Sequence, residues 1–232
     1  MALEGNSGLS PLGTKRRPSW IALLLQGWLV VACAGTGPSL SASGPVEIRQ
    51  YQGQNLSAIS DILETDIAGP QYVSVDTYRL KVSGLVTKPL ELSYDQVLGY
   101  SHFSKVANLP CVTGWDATLL WERVEIKDIL ATAGVRDDAS VVIFHGVDGY
   151  TSSLPLAFVQ ANDILLAYKM NGLTLPAEEG FPFMVVSESK WGYKWVKWVD
   201  EIELSSDTSY RGYWESRGYD NNGDRNGPMF QP

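Results

Sequence analysis

The 232-residue chain is poor in cysteine, histidine and positive charge, and each shortage excludes a class of chemistry. Its two cysteines, Cys33 and Cys111, lie far apart in different kinds of sequence, which argues against a disulfide-stapled fold. Its two histidines, His102 and His145, have no cysteine or carboxylate at zinc spacing beside them, which excludes a classical zinc site. Lys and Arg number 18 against 26 Asp and Glu, a net charge of −8, so the chain will not bind nucleic acid by charge. No Gly-rich nucleotide fingerprint follows a strand, and there is no serine-hydrolase elbow, Cys-x-x-Cys-His haem box or cysteine cluster for iron–sulfur. No apolar run reaches the roughly 20 residues of a confident membrane span. Asp220 through Asp224 lacks the glycine and closing glutamate of a calcium loop and reads as a solvated turn.

What is present begins at the N-terminus. Lys15, Arg16 and Arg17 precede an apolar run from Trp20 to Ala32. A basic lead and a short apolar stretch read as an export signal over residues 1–32, with an uncleaved signal anchor as the alternative. Val30-Val31-Ala32-Cys33 resembles the lipobox of bacterial lipoproteins, which implies cleavage before Cys33 and lipidation of its thiol. Arg16-Arg17 resembles a twin-arginine signal less well, because Pro18-Ser19 departs from the pattern. Three cations against Glu4 give this segment +2, which leaves −10 on the remainder. Residues 33–47, rich in Gly, Ser and Pro, read as a flexible tether to the membrane. The implied location is the outer face of a membrane in the cell envelope, periplasmic or extracellular.

The rest divides into one domain over residues 48–219 and a tail over 220–232. A hydrophobic content of 44% suits one sizeable core. Tyr78, Leu80 and Val82 alternate with polar residues, which predicts a strand over Thr77–Gly84. Ser93 and Gln96 form a capping box that opens a short helix over Tyr94–Leu98. A strand over Ser104–Leu109 leads into Cys111. Val124, Ile126, Ile129, Leu130 and Ala133 have helical spacing, stopped by Gly134. Further strands are expected at Val141–Phe144, Tyr150–Leu154, Ile164–Tyr168, Phe183–Val186 and Trp198–Leu204, with a hairpin turn at Asn171-Gly172. Short strands interleaved with short helices predict an α+β domain with a mixed sheet.

Two stretches could carry chemistry. In Leu109-Pro110-Cys111-Val112-Thr113-Gly114-Trp115 a proline and a glycine bracket a lone thiol, which presents it from a stiff loop. Such a thiol is either a buried structural residue or the one protein ligand of a metal held otherwise by a cofactor. In Lys190 through Trp198 three lysines and three tryptophans are interleaved with Gly192, Tyr193 and Val196. This is either a solvated basic edge or an anion site flanked by flat apolar surfaces.

Together these pieces resemble the molybdopterin-binding domain of the sulfite oxidase family. The resemblance covers about residues 48–219 and rests on their order: Thr77 through Gly84, Cys111 through Trp115, Asp148-Gly149-Tyr150, Leu165 through Gly172, Gly180-Phe181-Pro182 and Trp191 through Trp198. It implies a sulfite oxidase-type fold and a molybdenum–molybdopterin cofactor, with Cys111 as the thiolate on the metal and a pterin dithiolene supplying two more sulfurs. By position it implies cofactor contacts from Thr65, Asp66 and Ile67, from Asp148, and from Gly192, Tyr193, Lys194, Trp195, Val196 and Lys197. Trp115, Asp116 and Tyr150 would join Cys111 at the catalytic centre, with Trp115, Trp191 and Tyr150 lining a more apolar entrance. The chain departs from the family at Met184, where an arginine is usual, and at Glu179, where His or Asn is common. A carboxylate beside a phosphate is unfavourable unless it points away, so either Lys194 and Lys197 hold the cofactor instead or its binding is weakened.

The function these residues imply is two-electron oxygen-atom transfer on a small molecule such as an S-oxide or N-oxide. Sulfite itself is not expected, because Asp116 and Thr65 stand where the family's sulfite oxidases place arginines. Electrons would pass to or from an external haem or quinol-linked protein. With no room for a dimerisation domain, the chain is expected to be a monomer. The alternative is a non-catalytic binding module that keeps the fold without the metal.

Overall fold

The computed structural model describes residues 44–231; the basic lead, the apolar run and Cys33 lie outside them. The chain opens on a small ribbon, β1 (Gln50–Tyr51) with β2 (Gln54–Asn55). There follow β3 (Leu80–Gly84), β4 (Leu90–Leu92), α1 (Tyr94–Leu98), β5 (His102–Pro110), β6 (Asp116–Glu125), α2 (Ile126–Ala133), β7 (Val141–Gly146) and β8 (Thr151–Pro155). The last elements are α3 (Leu156–Ala161), β9 (Leu165–Met170), β10 (Leu173–Thr174), β11 (Met184–Val186) and β12 (Val199–Ser205). They build two five-stranded sheets. One is antiparallel in the order β10-β9-β6-β5, with β11 also paired to β9; the other runs β4-β3-β12-β7-β8. In the second sheet only β12 and β3 are parallel. The α+β class expected from the sequence is the one observed.

Local chemistry explains the elements that were legible. Ser93 and Gln96 do exchange capping hydrogen bonds, 2.8 and 3.3 Å, at the start of α1. Asn171 and Gly172 both take positive φ between β9 and β10, as a type I′ hairpin requires. The buried Asn171 carboxamide also accepts from Leu120 N (3.0 Å) and donates to Ser57 O (2.9 Å), so it ties the chain's start to the first sheet.

Two expectations shift, the first being that β3 starts at Leu80 rather than Thr77. Val124 belongs to β6 rather than to a helix, and α2 starts at Ile126. Strand β6 itself has no period-2 signature, because Leu119, Leu120 and Trp121 are all buried and both faces of the strand are covered. Strand β9 is buried on both faces for the same reason. Leu166 and Tyr168 join a core with α2, α3 and the second sheet, while Leu165, Ala167 and Met170 join a smaller core around Trp121 and Trp195. That smaller core floors the candidate site.

Candidate active site

The site begins at a hairpin tip. Strands β5 and β6 pair along their whole length from His102↔Val124 to Pro110↔Asp116, and the five residues between them carry Cys111. The tip is locked by Cys111 N to Trp115 O (2.9 Å) and Gly114 N to Cys111 O (3.1 Å). Cys111 is a half-buried free thiol with its Sγ 3.1 Å from Thr113 Oγ1. Gly192 brings the second chemical stretch against this tip: a Cβ there would lie 2.9 Å from Pro110 O, so only glycine permits the approach.

Cys111 lies on the wall of a cavity of about 210 Å³. Its lining includes Thr65, Asp66 and Ile67 from the segment before β3, Asp148 and Tyr150 from the β7–β8 turn, and Trp115 beside the thiol. Gly192, Tyr193, Trp195 and Lys197 complete the residues expected there. Glu179 and Met184, the two departures from the family pattern, line it as well.

Four expected residues fall elsewhere, among them Trp191, which is not part of the lining and whose backbone N–H donates to Gly223 O at 2.8 Å. Lys194 is fully buried away from the cavity, where its Nζ meets Glu215 Oε1 at 2.6 Å and donates to Ser153 O at 3.0 Å. Val196 packs in the larger core. Asp116 is exposed and accepts from Asn108 Nδ2 at 2.5 Å on the hairpin's outer face. The lysine of the stretch that does reach the cavity is Lys197. Sequence reasoning missed Trp214 and Tyr219, which approach the cavity from the C-terminal segment. Four aromatics within residues 210–219 were the signal that this segment packs.

The cavity's charge is unbalanced towards acid: Asp66, Asp148 and Glu179 face Lys197. Lys197 Nζ is 3.3 Å from Glu179 Oε2 but donates its hydrogen bond to Glu178 O at 2.7 Å. Glu179 Oε2 is thus a buried acceptor without a hydrogen bond, and Trp115 Nε1 is a buried donor without one. Unmade hydrogen bonds of this kind cost about 1–3 kcal/mol each, so they mark where a bound group would be rewarded. Burial pushes the Asp148 carboxyl up, opposed by the Tyr150 N–H that it accepts at 3.0 Å. Burial also pushes the Tyr150 phenol well up; it stays protonated and donates to Tyr193 O at 2.5 Å.

A thiol, an ammonium, carboxylates and an orphan indole N–H around one cavity suit a metal cofactor carrying a phosphate and a ring with N–H donors, although Glu179 does not point away and the phosphate has to take over its ion pair with Lys197. The fold with this site defines a cofactor-dependent oxidoreductase of sulfite oxidase architecture. A family model described as an oxidoreductase molybdopterin binding domain matches residues 67–214, and the chain belongs to that family. It is 35% identical to the uncharacterized oxidoreductase YuiH of Bacillus subtilis over 74% of this chain and 86% of that one. It is 30% identical to YedZ1 of Azospira oryzae, a subunit provisionally named for protein-methionine-sulfoxide reductase, over 84% of this chain and 70% of that one. Rat mitochondrial sulfite oxidase is 32% identical over 62% of this chain, which spans about a third (32%) of that longer protein. The sulfane dehydrogenase SoxCD of Paracoccus pantotrophus shares the fold, with a TM-score of 0.59 at 24% identity over 65% of this chain and 42% of that one. The chain is therefore a molybdopterin-dependent oxidoreductase.

Proposed function

We propose that this enzyme reduces or forms a small neutral S-oxide, N-oxide or similar substrate at the cavity beside Cys111, at the outer face of a membrane to which Cys33 anchors it. In the reductive direction the balance is R₂SO + 2H⁺ + 2e⁻ → R₂S + H₂O, the electrons coming from an external haem or quinol-linked protein. The observation that carries the reading is a free thiol held rigidly on a cavity whose one ammonium is Lys197, among the described residues.

Bound there, molybdenum–molybdopterin supplies two-electron oxygen-atom transfer. Cys111 offers the soft thiolate that suits such a metal. Lys197 offers the phosphate a charge, leaving Glu179 to do so. Asp148 and Glu179 can accept from the N–H edge of a pterin. Trp115 can donate to an oxygen from its orphan indole nitrogen. Tyr150 holds Tyr193 in place on the cavity wall.

The lining also supports a substrate other than sulfite. A small dianion needs compensating cations to leave water, and no described lining residue is an arginine. Arg123 is buried at the far end of the hairpin, opposite Phe103. The test is steady-state kinetics on the holoenzyme, with dimethyl sulfoxide and reduced methyl viologen in one arm and sulfite with an artificial acceptor in the other. Turnover of the sulfoxide with weak sulfite oxidation is expected. Sulfite kcat/KM above about 10⁴ M⁻¹s⁻¹, the lower edge of ordinary enzyme efficiency, would overturn the reading.

A further inference from the structure

After β12 the chain runs back across the loop that walls the cavity. Lys190 Nζ meets Asp224 Oδ1 at 2.5 Å and Lys194 Nζ meets Glu215 Oε1 at 2.6 Å, and both lysines are buried. Tyr193 Oη donates to Asp220 O (2.7 Å) and Trp191 N to Gly223 O (2.8 Å). Gly223 sits so close that a Cβ would fall 2.7 Å from Lys194 Cγ. Two of the three lysines in the basic stretch therefore serve this strap, residues 206–231, and fix its register.

The register delivers two rings to the cavity. Trp214 and Tyr219 pack on each other with centroids 5.4 Å apart, and Tyr219 lies 5.1 Å from Tyr193 on the cavity wall. The family match stops at residue 214, so Tyr219 lies beyond the shared segment. The residues expected to hold the cofactor all precede both rings.

We propose that Trp214 and Tyr219 determine specificity, selecting a substrate that carries a neutral apolar substituent beside its oxide or acceptor atom. This rests on the oxygen-transfer reading. Aromatic faces bury apolar area and meet sulfur well without requiring a charge. The acidic lining repels an anionic substituent. Because ion pairs and backbone bonds already order the strap, little freedom is lost when a substrate meets the rings.

The test compares holoenzyme with its Tyr219→Leu and Trp214→Leu variants on methyl phenyl sulfoxide and dimethyl sulfoxide, with reduced methyl viologen as donor. The ratio of kcat/KM for the larger over the smaller sulfoxide should fall at least about tenfold, chiefly through KM of the larger, a change near 1.4 kcal/mol. Molybdenum and pterin per chain should hold. An unchanged ratio in both variants, or loss of pterin in both, overturns the proposal. If neither sulfoxide is turned over by the unmutated enzyme, the oxygen-transfer reading fails, and titration calorimetry with methyl phenyl sulfoxide judges the wall instead. Binding weakened at least about tenfold by Tyr219→Leu supports it; equal binding, or none to the unmutated protein, overturns it.

Discussion

Lys197 and Lys194 are three residues apart, carry the same charge and belong to one basic stretch, yet they have different work. Lys197 faces the cavity beside Glu179, and Lys194 is sealed against Glu215. A charge-assisted contact to phosphate is worth roughly 1.5–3 kcal/mol. Lys197→Ala should therefore weaken pterin retention about 10- to 100-fold, read as pterin per chain after extended dialysis; full retention would remove Lys197 from the site. Asp148 gives a pH signature. Its folded-state carboxyl is raised above the ordinary 3.8 by burial, so above the raised value the folded state carries an unfavourable buried charge. Asp148→Asn removes that charge and keeps an acceptor for Tyr150 N. The apoprotein variant should melt higher than the parent at pH 7, and the gain should shrink as pH falls through the raised value and vanish below the ordinary 3.8. A gain that grew on acidification would contradict the assignment.

At the scale of elements, what could be read from sequence was what closes over a few residues. The α1 capping box and the Asn171-Gly172 turn have every partner within about three positions. The Cys111 tip was legible as a stiff loop because Pro110 and Gly114 are local signals. The role of Lys194 was not, because its partner is 21 residues away and nothing between them marks the pairing. Strand β6 was hidden for a different reason: with both faces buried it has no alternation to detect. The strap gives the sharpest prediction here. Lys194→Met leaves Glu215 buried without its cation, which costs about 3–5 kcal/mol. The melting temperature should fall accordingly, and adding Glu215→Gln should recover part of the loss. If Lys194→Met left stability intact and stripped pterin instead, the lysine would belong to the cofactor after all.

At the scale of the whole molecule, the order of its motifs along the chain was enough to place the fold, while the shape of the cavity was not. Sequence order puts Cys111, Asp148 and Lys197 on three different segments. Only packing shows that Trp214 and Tyr219 join them and that Asp116 turns outward. The N-terminal segment makes its own prediction: intact mass spectrometry of membrane-extracted protein should find a chain beginning at a diacylated Cys33, since several acyl chains anchor stably where one does not. A mature chain that retained residues 1–32 would refute the anchor. The central claim is that Cys111 and its cavity hold a molybdopterin metal centre, and metal and pterin analysis of protein made in a molybdopterin-competent host tests it most directly. One molybdenum and one pterin per chain are predicted, with X-ray absorption showing one sulfur fewer around the metal in Cys111→Ser. A folded chain that carries neither molybdenum nor pterin in a host that loads other molybdopterin enzymes would contradict it.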